Sequence, residues 1–393
     1  MYKSMINIED IFNVGIGTYR MTYKSLENIK SMNYGINKGI NLIDTASNYL
    51  NGDSEKIISK IDVERTSVFI VSKVGYITPI ISEGFLFKPE DVYFKEDNVP
   101  FHSISSDYIK YQLKKSLIRC NLDYLDCYLL HNPEYSLKNK ENHHKMEILE
   151  EAFSTLESFV KEGKIRYFGI SSNELNNSKT LSLEELSYLK EKYPSFMFIQ
   201  IPFNLIEGES HISLMEEYKK RGFYILSNRP LNTVFNNKSL RLSFFNITES
   251  KEFLLKKESE LFNYFIKLIK IHLANIGIKE QVEEFYPLSY LINNRLKFGN
   301  IEAVHVYFND YLYPFLNEIE FKNIDRNIVT NLMHSWKEIF QLNNNERLKS
   351  LLKTKGIVTN NLPKYLIEDY NKSGVDTVLM GLTKKQYIDD IFK

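Results

Sequence analysis

From residue 11 to about residue 227 the chain alternates short β-branched or aromatic runs with stretches of helical period. That order is the pattern of βαβ units and a parallel sheet. The runs predict strands at 11–16, 40–44, 67–73, 124–130, 165–170, 196–201 and 223–227. The intervening patterns predict helices near 25–38, 53–61, 106–120, 145–162, 183–192 and 210–221. An eighth run, VDTVLMG at 375–381, and a short helix near 384–392 complete the series. Eight such units predict an α/β fold of the (β/α)8 TIM-barrel type. An open doubly wound sheet is the alternative, but it would gather ligand residues at one switch point rather than after successive strands.

Two segments interrupt the repeat. Residues 75–105 form a long aromatic and proline-bearing loop, of the kind that has a function when it lies inside a compact domain. Its Tyr76, Phe85, Phe87, Tyr93, Phe101 and His102 are candidates for the wall of a pocket. Residues 232–370 form a helical insertion before the last strand, apolar at three- and four-residue steps. The expected organisation is therefore a barrel from 1–231 and 371–393, with 232–370 as a helical cap or a module that binds a protein partner.

Charge narrows the function. Fifty Lys and Arg balance fifty Asp and Glu, so no overall field recruits nucleic acid or an anionic membrane. The first residues lack the apolar core of a secretory signal, and no apolar run is long enough to span a bilayer, so a cytoplasmic location is expected. The two cysteines, Cys120 and Cys127, have neither CxxC nor zinc-ligand spacing and are expected to be buried thiols. His143 and His144 open a helix in a polar stretch and are expected to face solvent, so no metal site is predicted.

The chemistry concentrates where strands end. GINLIDTASNY (39–49), SVFIVSK (67–73) and YLDCYLLH (124–131) close on, or shortly before, Asp44, Tyr49, Lys73 and His131. In a TIM barrel the strand C-termini form the active face, so these four side chains would share one mouth. A tyrosine with a free pKa of about 10 is a poor acid, but a neighbouring ammonium stabilises its phenolate. Lys73 would supply that charge, Asp44 would keep the lysine protonated, and His131 would orient a carbonyl oxygen toward the phenol. There is no GxSxG nucleophile elbow and no HExxH metal motif, so reducing equivalents would have to arrive with a cofactor.

In these residues and their flanks the sequence resembles the aldo-keto reductase family. The blocks are GIGTYR (15–20), GINLIDTASNYLNGDSE (39–55), SKVG (72–75), LLHNPE (129–134), GKIRYFGISSN (163–173), IQIPFNL (199–205) and VLMGLTKKQYIDD (378–390). They cover about 250 residues and leave 232–370 unmatched. The resemblance implies an NAD(P)H-dependent oxidoreductase moving a hydride between nicotinamide and a carbonyl or alcohol, with NADP(H) preferred and NAD(H) second. It implies Tyr49 as general acid, Lys73 and Asp44 as its tuning pair, and His131 as the orienting group. Ser171, Ser172 or Asn173, with Gln200, would hold the nicotinamide carboxamide. Thr18 and Tyr19 would line the ribose, Gly381, Thr383 and Asp390 would face the adenosine end, and Gly17, Asp44, Ser227, Arg229, Leu231 and Lys384 would also bind the cofactor.

The chain also departs from the family pattern. SNRPLN (227–232) places Asn228 and Arg229 where many members carry an aromatic residue before Ser-Pro-Leu, which removes the usual stacking platform. An arginine plane can stack there or bind a cofactor phosphate. Thr383 stands where an arginine often meets the 2′-phosphate, with Lys384 and Lys385 able to compensate, and Asp390-Ile391 replaces a Glu-Asn pair. These changes motivate a second reading, a cofactor-binding sensor or regulatory barrel whose insertion contacts a partner.

Overall fold

The computed structural model of the protein describes residues 5–88, 101–138, 140–175, 181–321 and 326–393. Eight parallel strands close into a barrel, as the repeat predicts. In chain order β1 is Val14–Gly17, β2 Leu42–Asp44, β3 Phe69–Val74, β4 Leu125–His131, β5 Ile165–Ser171, β6 Phe196–Pro202 and β7 Tyr224–Asn228. A hairpin of β8 (Asn232–Phe235) and β9 (Lys238–Arg241) follows, and β10 (Thr377–Met380) closes the barrel between β7 and β1.

Each expected barrel strand is present to within three residues. The helices Ser106–Cys120 and Leu183–Lys192 have the predicted bounds. Their starts are set by local chemistry: Ser105 accepts from Tyr108 N, and Ser182 forms a reciprocal capping box with Glu185. The 53–61 stretch departs from prediction. It divides into an α-turn, Asp53–Lys56, and a 3₁₀ segment, Ile57–Lys60.

Leu42, Phe69, Val71, Cys127, Leu129, Phe198, Leu226 and Leu379 fill the barrel interior. Their alternation decides what lines the mouth. Side chains two apart along a strand share a face, so the next inward positions are Asp44 after Leu42, Lys73 after Val71, and His131 after Leu129. Gln200 follows Phe198 and Asn228 follows Leu226 by the same rule. The interior is apolar to the last layer, which is polar. Gly169 is required where β5 meets β6, because a Cβ there would run into the Phe198 carbonyl.

The chain divides into two compact units, residues 1–231 with 361–393, and residues 232–360. The helix Leu362–Lys372, placed in the insertion by the sequence pattern, belongs with the barrel. Leu362, Leu366, Ile367 and Tyr370 are buried, and the Tyr370 hydroxyl donates to Pro230 O at 2.9 Å. The second unit has its own core, built by helices that include Lys251–Asn275 and Arg326–Thr354. Trp336, the chain's single tryptophan, is fully buried there. No helix among the described residues is long and apolar enough to cross a membrane.

Candidate active site

Lys73 is the centre of the polar layer. Its ammonium has no solvent exposure and donates to Asp44 Oδ2 at 2.7 Å, to Thr45 O at 2.8 Å and to the Tyr49 hydroxyl at 3.3 Å. Burial alone would lower its pKa. Asp44 and Tyr49 outweigh that, and the net displacement is upward, so the lysine is charged at neutral pH. Burial pushes the half-buried Tyr49 phenol up from its ordinary value, while Lys73 pulls against it. The phenol is thus a protonated donor held 3.3 Å from a fixed cation.

Tyr49 reaches this point through an unusual turn. Leu50, Asn51 and Gly52 all have left-handed backbone angles, with φ of 47°, 53° and 89°. Only the glycine adopts that region without cost, so the loop carrying the phenol is held by its surroundings.

His131 lies at the end of β4, its ring 5.8 Å from that of Tyr49 and 4.8 Å from that of Tyr76. Burial, then the charge of Lys73, hold it well below the ordinary histidine pKa, so it is a neutral imidazole. A neutral ring with one N–H can donate to a carbonyl oxygen without competing for the tyrosine's proton.

The support behind His131 comes from the long loop. His102 is fully buried, with Nε2 2.8 Å from His131 O and Nδ1 2.7 Å from Ser136 Oγ. Because a carbonyl oxygen only accepts, Nε2 carries the proton and Nδ1 accepts from the serine. Burial lowers the pKa of this ring to about 4, which keeps that tautomer in place at neutral pH. Gly75 makes room for it: a Cβ would lie 2.6 Å from His131 O and closer still to the His102 ring.

The remaining predicted residues divide between the mouth and other places. Gly17 pairs in register with Asp44, Thr18 N donates to Asp44 O at 2.9 Å, and the exposed Tyr19 packs edge-on against Tyr49 at 5.1 Å. Ser171 Oγ donates to Gln200 Oε1 at 2.9 Å, and Gln200 Nε2 to Asp44 Oδ1 at 2.8 Å. Ser172 Oγ is turned away, accepting from Glu174 N, and Asn173 N donates to Glu134. Ser227 alternates to the opposite face of β7 from Leu226 and Asn228, and Asn228 is the β7 residue that follows the inward Leu226 toward the mouth. Arg229 is exposed, with a left-handed φ of 53°, and Leu231 is partly buried. Gly381, Thr383 and Lys384 follow β10, and Thr383 O accepts from Asn28 Nδ2 at 3.4 Å. Asp390 pairs with Lys393 at 3.2 Å.

Of the loop aromatics, Tyr76 and His102 meet His131, whereas Phe85 and Phe87 pack on Tyr108 and Tyr111 of the following helix. Phe101 is exposed, and Tyr93 lies outside the described residues. Cys120 and Cys127 are buried thiols, and His143 and His144 are exposed beside Glu147. Sequence reasoning missed Asn132, which donates to the Tyr76 hydroxyl, and Glu134, whose carboxyl is raised by burial to about 7. Both lie inside the LLHNPE block, where their proximity to His131 was the available signal.

An orphaned polar atom indicates what the mouth accepts. At the mouth, Asn228, whose Nδ2 lies 3.5 Å from Gln200 Oε1, has a buried Oδ1 without a hydrogen-bond partner among the described residues. A buried unpaired acceptor beside Gln200 and Ser171 suits a ligand with polar hydrogens, such as a carboxamide.

A closed parallel barrel that gathers Asp44, Lys73, Tyr49 and His131 at one mouth is of the (β/α)8 class. The model of the aldo/keto reductase family matches residues 13–278, and the chain belongs to that family. An uncharacterized oxidoreductase of Bacillus subtilis, YqkF, is 28% identical over 257 residues, covering 62% of this chain and 73% of its own. The aldo-keto reductase AFTS1 of Alternaria alternata is 26% identical over 211 residues, 51% of this chain and 54% of its own. Methylglyoxal reductase YeaE of Escherichia coli is 29% identical over 164 residues, 40% of this chain and 45% of its own. The chain thus spans only about half the length of the latter two relatives. A solved aldo/keto reductase of Klebsiella pneumoniae, in complex with NADP and acetate, shares 23% identity over 56% of this chain and 65% of its own, with a TM-score of 0.41.

Proposed function

We propose that the protein is an NAD(P)H-dependent oxidoreductase that interconverts a carbonyl compound and its alcohol, with NADP(H) the preferred cofactor. The observation that carries this reading is the Asp44–Lys73–Tyr49 contact series at the barrel mouth, with a neutral His131 beside it. The nicotinamide, when bound, supplies the hydride. Ser171 and Gln200 would hold its carboxamide, with Asn228 adjoining them. Arg229, Lys384 and Lys385 offer cationic side chains for the phosphates, and Gly17, Thr18 and Tyr19 would line the ribose.

In the reductive direction Tyr49 gives its hydroxyl proton to the carbonyl oxygen as that oxygen becomes an alkoxide. Lys73 stabilises the phenolate left behind, and Asp44 keeps Lys73 charged in a site where burial alone would favour the neutral amine. His131 donates an N–H to the same oxygen and fixes its direction. Oxidation reverses the proton path. The oxidoreductase names carried by relatives support the class of reaction, while the substrate is a small carbonyl or alcohol without further definition.

The test is a titration of NADPH and NADH fluorescence followed by a panel of carbonyls and alcohols. Tyr49→Phe should bind NADPH as the parent does and lose turnover. A Tyr49→Phe enzyme that turns over normally would overturn the assigned chemistry, and tight cofactor binding without turnover across the panel would favour the sensor reading.

A further inference from the structure

Five buried or half-buried side chains form one continuous hydrogen-bonded series across the mouth. Ser171 Oγ donates to Gln200 Oε1 at 2.9 Å, and Gln200 Nε2 donates to Asp44 Oδ1 at 2.8 Å. Lys73 then donates to Asp44 Oδ2 at 2.7 Å and to the Tyr49 hydroxyl at 3.3 Å. Ser171, Gln200, Asp44 and Lys73 are each less than 5% exposed, so water does not substitute for any of these bonds.

From this series we infer that Gln200 is a positioning residue for the proton donor as well as part of the carboxamide seat: it orients Asp44 and couples occupancy of that seat to Tyr49. The inference rests on the functional reading above.

The two ends of the Gln200 amide do different work. Its N–H is committed to Asp44, whose second oxygen is held by Lys73, so the carboxylate is fixed from both sides. Its oxygen accepts from Ser171 and, at a long 3.5 Å, from Asn228 Nδ2, a weak partner that a better donor can displace. A stronger donor on Oε1 polarises the amide and strengthens the N–H bond to Asp44, since hydrogen bonds in a low-dielectric chain reinforce one another. Asp44 then draws less on Lys73, Lys73 turns more of its charge to the phenol, and Tyr49 becomes a stronger acid when the seat is filled.

The groups facing this series are few. Tyr49 meets Tyr19 from the loop after β1, Lys73 from β3 and His131 from β4. Asp44 meets Lys73 and, from inside β4, the buried Cys127 thiol. His131, which faces the charge of Arg229 and the ring of His102 as well as Lys73, is neutral at working pH, so the coupling is carried by Asp44 and Lys73.

Two variants separate positioning from seating. Gln200→Leu removes the donor to Asp44, and Gln200→Glu keeps the shape and the Ser171 contact but turns an acceptor toward Asp44. With NADPH saturating, both should move the alkaline limb of kcat upward by about one pH unit and lower kcat at pH 7 about tenfold, because the phenol becomes a weaker acid. Without any substrate, the pH dependence of NADPH affinity between pH 7 and 10, read by fluorescence, should be present in the parent and lost in both variants. A raised NADPH KM with the alkaline limb and the pH linkage both unmoved would show that Gln200 only seats the carboxamide, and would overturn the inference. A parent protein that binds no NADPH would instead overturn the functional reading and the coupling with it.

Discussion

Lys73–Asp44 in the barrel and Arg295–Glu258 in the helical unit each sink a carboxylate into an ion pair, and the two are built differently. In the barrel, Lys73 and Asp44 lie 2.7 Å apart at the end of parallel strands, with a titratable phenol on the lysine and an amide on the carboxylate. In the helical unit, Glu258 is 1% exposed and accepts from Arg295 Nε at 2.8 Å and Trp336 Nε1 at 2.9 Å. Arg295 also lies over the Phe262 ring, 4.2 Å from its centroid. The second pair is closed: its carboxylate is held by a guanidinium and the Trp336 indole, and that indole packs against Phe262 and Phe308. Burying charge is costly in both places, but in the barrel pair the cation also holds a titratable hydroxyl, that of Tyr49. A buried ion pair is therefore read as chemical or architectural by what its free valences face, not by its burial.

The comparison can be broken at several points. The largest effect expected is on turnover: Tyr49→Phe should lower kcat about 10³-fold, or about 4 kcal/mol of activation free energy, with thermal stability little changed. Comparable stability loss in a calorimetric scan would make the barrel pair architectural too. Next is Glu258→Gln, which leaves the half-buried Arg295 without its counter-charge and should cost about 2 kcal/mol of folding stability in denaturant unfolding. Turnover per folded molecule should be unchanged, and the double variant Glu258→Leu with Arg295→Met should recover most of the loss. If the double variant is as unstable as the single one, the pair contributes net stability rather than specificity.

A third, pH-dependent effect concerns the support of the site. The folded protein keeps His102 unprotonated to about pH 4, against an ordinary 6.5, so the unfolded chain takes up a proton first as pH falls. The corresponding stability is present above about pH 6.5 and lost toward pH 4, up to about 3 kcal/mol for a fully buried ring. Glu134 acts with opposite sign: its carboxyl, raised to about 7, favours the fold below its ordinary 4.5 and loses that contribution as pH rises to 7. His102→Gln should thus gain stability relative to the parent as pH falls from 6.5 to 4, measured by denaturant unfolding at three pH values. A difference that stays constant with pH would show that His102 titrates normally.

The smallest effect is steric. Gly75→Ala places a methyl against the His102 ring and the His131 carbonyl, and should cost about 2 kcal/mol of stability with a rise in substrate KM. An unaffected KM would mean that His102 does not hold His131 in place.

How much of this was legible in the sequence follows from the range of the interactions. Strand ends were readable because Leu42 to Asp44, Val71 to Lys73 and Leu129 to His131 are two residues apart, and a period of two is local. The partners of those residues were less readable. Gln200 was legible as a residue of the carboxamide seat, but its bond to Asp44 spans 156 residues, and its amide orientation is set by Ser171 on a neighbouring strand. SNRPLN names Ser227 and Asn228 side by side, and only the strand's face separates them. The helix Leu362–Lys372 reads as amphipathic in sequence, and nothing local says which core receives its apolar stripe.

By itself, the sequence determined the order of the barrel strands, the polar residues Asp44, Lys73 and His131 at the ends of three of them, and the presence of a separate helical segment, because patterning and strand period are encoded within a few residues. Tertiary structure alone decided that Lys73 touches Asp44 and Tyr49 together, that His102 braces His131 across Gly75, and that Gln200 joins the carboxamide seat to the proton donor. Those contacts bring distant strands and loops to one desolvated mouth, and only there do burial and neighbouring charge set which group keeps its proton.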